Sequence, residues 1–270
     1  MTGNEVVLRL DGVSKVYWRG KERVDALRQV SLDVAAGELV AVMGPSGSGK
    51  STLLNVAGGL DSASEGDVVV CGRALATSSA AGLAQLRRRT LGYVFQELNL
   101  VPSLTAAENV ALPLELDAWR PGPARHAALE ALGASGLAGI AGLFPDELSG
   151  GQQQQVAIAR ALVGDRRLLL ADEPPGALDS TTGDAVLATL RERCDTGVAA
   201  VVVTHQPRHA AWADRVVFLR DGELVDEAQA DLWAPAGRAQ PGARSATRSA
   251  TQPGGRSGGG SARAAGPVGG

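Results

Sequence analysis

Gly44-Pro45-Ser46-Gly47-Ser48-Gly49-Lys50-Ser51-Thr52 is the stretch on which the reading of this chain turns. It fits the pattern G-x-x-x-x-G-K-[ST], a loop that binds phosphate when it joins a strand to a helix. Both flanks have that character. Residues 38–43 (Glu-Leu-Val-Ala-Val-Met) read as a short buried strand, and residues 51–57 open as a helix. Glycine permits backbone conformations closed to other residues and lets the main chain approach a ligand closely. Successive N–H groups at the helix N-terminus can then surround a β-phosphate, where the helix dipole also favours an anion. Lys50 is in reach of the β- and γ-phosphates, and the Ser51 hydroxyl is in reach of a Mg²⁺ ion. The bland alternative is a Gly/Ser-rich turn that happens to hold a lysine. Only three of the 26 basic residues are lysines, Lys15, Lys21 and Lys50, so one falling at the required position counts against chance.

Outward from the loop, strand and helix patterns alternate. Residues 6–13 and 26–34 look like strands joined by a loop containing Tyr17 and Trp18. Residues 67–71 and 92–95 are further short strands, with a helix over 80–89 between them. From 103 to 141 the pattern is helical, interrupted at Pro113 and at Pro121-Gly122-Pro123. This predicts an inserted helical subdomain over about residues 97–163. Residues 152–163 form an amphipathic helix with Val156, Ile158, Ala159, Leu162 and Val163 on its inner side. Residues 168–171, 181–193 and 199–204 then resume strand, helix and strand, as in a parallel sheet. Asp221-Gly222 sits between two strand-like runs as a hairpin turn does.

Composition separates a body from a tail. All 29 acidic residues lie at or before Asp231, so residues 1–235 hold 21 basic against 29 acidic residues, a net −8. Residues 236–270 carry five arginines, no acids, and mostly Gly, Ala, Ser, Pro and Thr; they have too little apolar surface to order themselves and are expected to be disordered. An acidic body with 3% aromatic residues argues against a nucleic-acid partner. The polar N-terminus does not resemble a signal peptide, and no apolar run approaches the roughly 20 residues that cross a bilayer. Cys71 and Cys194 are isolated, with no metal-binding or disulfide spacing.

Two acids end the apolar run Leu168-Leu169-Leu170-Ala171-Asp172-Glu173. Ligands of open α/β sheets bind beyond the carboxyl ends of strands, which places Asp172 to hold Mg²⁺ and Glu173 to polarise an attacking water. Leu148-Ser149-Gly150-Gly151-Gln152 follows the glycine-rich loop by about a hundred residues. Alone it is a helix N-terminus capped by Ser149, with free N–H groups for an anion. In this order and spacing, the two motifs resemble the ATP-binding cassette of ABC transporters. The resemblance covers about residues 5–230. Residues 95–110 are most similar to the branch serving lipoprotein release, macrolide and peptide export, and the related cell-division pair.

The resemblance implies a P-loop ATPase core of α/β class, with an antiparallel β portion and the inserted helical subdomain. It implies that ATP and Mg²⁺ are bound, and that Ser149, Gly150, Gly151 and Gln152 reach the γ-phosphate of ATP held by a second copy, so that two cassettes sandwich two nucleotides. Tyr17 matches the aromatic that stacks on adenine, with neighbouring Trp18 the other choice. Gln96 matches the glutamine that meets Mg²⁺ and the attacking water, Asp179 a loop crossing the dimer interface, and His205 the histidine that contacts the γ-phosphate. His126 and His209 match nothing. A separate integral-membrane permease is implied as partner, with a groove near residues 96–117 receiving one of its helices and the cassette held at the cytoplasmic face of the membrane. Soluble ABC-type ATPases of translation or DNA repair usually carry two cassettes, coiled coils or zinc modules, which this sequence lacks; a mechanical role on a cell-envelope partner stays open. Three positions depart from the family pattern: Pro175 in place of threonine, Gln155 in place of arginine, and Gln206 in place of an acid.

Overall fold

The apolar run before the glycine-rich loop becomes a central strand of a six-stranded sheet, and the run after it becomes a helix. The computed structural model describes residues 5–176 and 178–229. In chain order these form β1 (Val6–Arg19), β2 (Glu22–Ala35), β3 (Leu39–Met43), α1 (Lys50–Ala57), β4 (Glu65–Val70), β5 (Arg73–Ala74), α2 (Ala80–Arg89) and β6 (Leu91–Val94). They continue with α3 (Ala106–Glu115), α4 (Pro121–Ala134), α5 (Gly150–Leu162), β7 (Leu168–Asp172), α6 (Ser180–Asp195), β8 (Ala199–Val203), α7 (Pro207–Ala210), β9 (Arg215–Arg220) and β10 (Glu223–Gln229). The main sheet runs β10-β9-β3-β8-β7-β6, parallel except for the β9–β10 hairpin; β2-β1-β4-β5 make a second, antiparallel sheet. β3, β7 and β8 are buried along their whole length, as strands covered on both faces must be.

Three apolar cores hold these layers. The first lies between the two sheets around α1, with Val13, Leu27, Leu53 and Leu170 in it. The second packs α5 and α6 on the other face of the main sheet through Ile158, Leu187, Leu190 and Val202. The third belongs to α3, α4 and α5 and includes Val110, Leu132, Leu148 and Val156. Helix α5 therefore serves two cores. Ile158, Ala161 and Leu162 face the sheet while Val156, Ala159 and Val163 face the helices, so the single inner side read from the sequence is two sides.

Two other expectations need correction. Tyr17 and Trp18 are not in a loop: β1 and β2 form one long hairpin in which Tyr17 opposes Val24 and Trp18 opposes Arg23. The register shifts between Leu10, Val13, Lys15 and Val16 break the period-2 alternation that would have shown it. Nor does Pro113 interrupt a helix as expected, whereas the expected break before Pro121 is present. Pro113 lies inside α3, and Pro121 starts α4, where its missing N–H would have had no intrahelical partner. Residues 236–270, the boundary before them and Asp231–Trp233 lie outside the described residues.

Candidate active site

The glycine-rich loop leaves β3 and enters α1 through Gly49, whose φ of 105° is left-handed. A Cβ on Gly49 would sit 2.3 Å from the Ala26 carbonyl oxygen, and one on Gly44 would sit 2.1 Å from that of Leu219. No side chain fits at either position, so the loop keeps its main chain bare. Lys50 Nζ donates to the Gly44 and Pro45 carbonyls, both at 2.8 Å, which holds the ammonium across the loop mouth. Ser51 Oγ donates to Asp172 Oδ2 at 2.6 Å and so joins the helix to the end of β7. Gly44, Pro45, Ser46, Gly47, Gly49, Lys50, Ser51 and Thr52 line a cleft of about 600 Å³ together with Gln96, Asp172, Glu173 and His205. Ser48 is buried, with its hydroxyl unpartnered.

The acids meet the loop because β7 lies beside β8, which lies beside β3. Burial raises the Asp172 pKa, and the Glu173 charge adds to this, against the Ser51 hydrogen bond and the Lys50 charge. Glu173 has φ 49°, a left-handed conformation uncommon outside glycine, and it turns the chain sharply off the strand. Its Oε1 accepts from the His205 N–H at 3.0 Å and lies 2.6 Å from His205 Nδ1; its Oε2 accepts from Thr204 Oγ1 at 3.2 Å. Thr204 is fully buried and also accepts from Gln206 N–H at 3.1 Å. Its place in holding the carboxylate was not singled out in the sequence, where it reads as the last apolar-side residue of a strand. His209 is buried near Thr204, which lowers its pKa, and His126 pairs with Glu130 on α4; neither lines the cleft.

Gln96 is exposed at the cleft wall just after β6. The strand end is fixed by stacking of Phe95 on Tyr93, whose hydroxyl donates to Asn55 Oδ1 at 2.9 Å. Beyond Gln96, Arg160 of α5 donates to the Leu98 and Asn99 carbonyls at 2.6 Å each. The segment that carries Gln96 is thereby tied to the helix that Ser149 caps.

The remaining predicted residues do not line the cleft of this single chain. Ser149 and Gln152 form a reciprocal capping box at the start of α5, Gly150 is exposed, and a Cβ on Gly151 would meet the Leu178 side chain at 3.2 Å. Asp179 caps α6 by accepting from Thr181 and Thr182 N–H and from the Thr182 hydroxyl; the Thr182 bonds lower its pKa. Tyr17 OH donates to Asp61 Oδ2 at 2.8 Å, and Lys15 Nζ lies 4.9 Å from the Tyr17 ring centre. Lys15 also donates to Asp61 Oδ1 at 2.6 Å and to the Ser62 carbonyl at 2.8 Å. Partial burial works to raise the Asp61 pKa, but the Lys15, Tyr17 and Ser62 hydrogen bonds outweigh it and hold the carboxyl below the ordinary range. This clamp was also missed in the sequence. Trp18 is 66% exposed.

A family model described as ABC transporter matches residues 27–176, from within β2 through the loop, α5 and the acids of β7. The chain belongs to the ABC transporter family. The cassette is 44% identical over 226 residues to the ABC transporter ATP-binding protein YvrO of Bacillus subtilis (strain 168), covering 84% of this chain and 99% of that one. It is 46% identical over 219 residues to the macrolide export ATP-binding/permease protein MacB of Escherichia coli (strain K12). That match takes 81% of this chain but 34% of MacB, so the cassette spans about a third of the MacB relatives it matches. Among solved structures it resembles the dimeric MJ0796 bacterial ABC transporter cassette, with a TM-score of 0.79 and 43% identity over 83% of this chain and 98% of that one. A post-hydrolysis state of MJ0796 bound to ADP and Pi matches with the same TM-score at 42% identity. The P-loop α/β core and the ABC-type ATPase class expected from the sequence are thus borne out.

The cassette's own groups fit Mg²⁺. The Ser51 hydroxyl and the Asp172 carboxylate converge at 2.6 Å in the cleft, and Gln96 adds an amide oxygen to its wall. Hard oxygen donors of this kind suit Mg²⁺, which takes one or two protein ligands and completes its shell with phosphates and water. Among the described residues no group of three His, Cys, Asp or Glu side chains forms a metal cluster of its own.

Proposed function

We propose that this cassette binds MgATP between two copies of itself, hydrolyses it, and drives an integral-membrane permease on a separate chain. The observation that carries this reading is the division of the site. The loop, Asp172, Glu173, Gln96 and His205 share one cleft, whereas Ser149, Gly150, Gly151, Gln152 and Asp179 sit outside it. Residues 149–152 offer a capped helix N-terminus to an anion, and only a second copy brings one over the first copy's cleft.

In this reading the loop N–H groups and Lys50 bind the phosphates of ATP, and Tyr17 stacks on the adenine. Ser51, Asp172 and Gln96 would hold Mg²⁺, which would supply positive charge against the phosphates of the nucleotide. Glu173 accepts a hydrogen bond from the attacking water and orients it towards the γ-phosphorus; Thr204 and the His205 N–H fix the carboxylate for that task. His205 contacts the γ-phosphate, and Asp179 crosses the interface between copies. Binding of two ATP closes the dimer, and hydrolysis reopens it.

No helix among the described residues is long and apolar enough to cross a membrane. In this reading the permease supplies the span and holds the cassette at the cytoplasmic face through a groove beside Gln96. MacB, named as an ATP-binding/permease protein, supports the pairing of such a cassette with a permease. The cassette itself occupies residues 1–235, with its helical subdomain over about 97–163. Specific ATPase activity measured against protein concentration tests the reading: it should rise as dimers form and vanish in Lys50→Ala. A specific activity independent of concentration would contradict it.

A further inference from the structure

Gln154 lies on the second turn of α5 and is 3% exposed, a place where a polar side chain must find a partner. Its Nε2 donates to the Pro174 carbonyl at 2.5 Å. That much is what any buried amide needs. The position of the acceptor says more, because Pro174 directly follows Glu173.

Glu173 has to be held from outside. Its φ of 49° is left-handed, whereas a proline next in the chain drives the residue before it towards extended backbone. Such a conformation persists only where its surroundings over-determine it. On the strand side, Glu173 N–H donates to the Val203 carbonyl at 3.0 Å. On the other side Pro174 and Pro175 carry no N–H, so the turn is anchored through its carbonyls. The Glu173 carbonyl accepts from Gly176 N–H at 2.8 Å, and that of Pro175 from Leu178 N–H at 3.0 Å, both within the turn. The Pro174 carbonyl accepts from Gln154, on another element. Pro175, standing where the family pattern has threonine, removes one more N–H and enlarges the share that falls to α5.

We propose that Gln154 is a positioning residue for Glu173, pinning the turn after the carboxylate to α5 of the same chain. This rests on the cassette reading and adds a residue to it. The helix whose capped end offers residues 149–152 to the second copy's ATP is then also the helix that sets the first copy's own carboxylate.

Gln154→Met in the full chain keeps the length of the side chain but cannot donate. Its kcat should fall about tenfold or more, as an unpaired buried acceptor beside the reacting group predicts. KM and the Kd for a fluorescent ATP analogue should stay within about twofold, since the loop and Lys50 are untouched. Unchanged kcat, or a loss confined to KM, would overturn the proposal. Mixing experiments assign the effect to one chain. A trace of Gln154→Met in large excess of Glu173→Gln reads its own Glu173 opposite an intact partner helix. A trace of wild type in excess of the Gln154→Met/Glu173→Gln double variant reads the converse. Against trace wild type in Glu173→Gln, the first mixture should lose its rate and the second should keep it. Loss in the second alone would mean that Gln154 only shapes α5 for the partner's ATP; equal loss in both would mean general damage. Either result overturns the proposal. Should Gln154→Met melt early, Gln154→Asn, one methylene shorter, must give the same pattern. If the excess chain has no effect on trace wild type, the sandwich reading fails, and kcat against Kd in Gln154→Met alone decides the positioning role.

Discussion

Replacing Asp61 with alanine removes the acceptor that joins Lys15 to Tyr17, and the size of the loss follows from the geometry. Lys15 loses a partner at 2.6 Å and keeps the Ser62 carbonyl; its side chain is 10% exposed, that of Asp61 32%. Breaking a fully buried ion pair costs about 3–5 kcal/mol because a charge is left unpaired. The water around Asp61 and the surviving Ser62 bond reduce this to about 2 kcal/mol. For a domain of this size that is a fall of about 4–8 °C in Tm. Urea unfolding and thermal melts of wild type, Asp61→Ala, Lys15→Met and the double variant would read it. The double variant should be less unstable than the two single losses added, since no buried ammonium remains. The lowered Asp61 pKa sets the pH window: the stabilisation is present above the ordinary value of 3.8 and is lost as pH falls through the lower folded value. The Tm gap between wild type and Asp61→Ala should therefore stay open at neutral pH and close only in strong acid. ATP affinity should fall as well, because Tyr17 loses the bond that holds its ring. An Asp61→Ala protein within about 0.5 kcal/mol of wild type at pH 7 would refute the clamp, since that is the scatter of ordinary surface substitutions.

Three further outcomes follow from the site. Thr204→Val, which frees Glu173 Oε2 and leaves the Gln206 N–H unpaired, should cost about 1–2 kcal/mol in stability and lower kcat more than it raises KM in steady-state ATPase assays. Pro175→Thr should leave ATP affinity nearly unchanged and alter turnover, because proline stiffens the link between Glu173 and Asp179; equal kcat with the partner bound would show the substitution to be neutral. Cys194, buried in the core with its thiol pushed up to about 12, should resist thiol reagents in the native state while Cys71 reacts first, which mass spectrometry of labelled protein would show.

The parallel core was legible in the sequence because its strands are covered on both faces. Leu168–Asp172 and Ala199–Val203 are continuous apolar runs, and such runs ending in Asp-Glu or Thr-His announce the edge where ligands bind. The hairpin of β1 and β2 was not, since its bulges scatter polar residues among buried ones and hide the alternation. Pro121 marks a helix start as read, but Pro113 misled for a local reason: the packing of α3 on α4 and α5 outweighs the missing hydrogen bond there. Within the site, the loop and its acids could be read because their residue types sit at fixed spacings. Thr204, Asp61 and Arg160 could not, because each acts on a partner 31 to 62 residues away in sequence.

Glu173→Gln in saturating MgATP is the most direct test of the central claim that two copies complete one another's sites. The variant keeps the loop, Ser51 and Asp172, so it should bind nucleotide, hydrolyse it very slowly and accumulate as a dimer holding two ATP. Size-exclusion chromatography with light scattering should show twice the 27.6 kDa chain mass with MgATP and a single chain without it. A protein that binds ATP yet keeps the mass of one chain at high concentration would contradict the account.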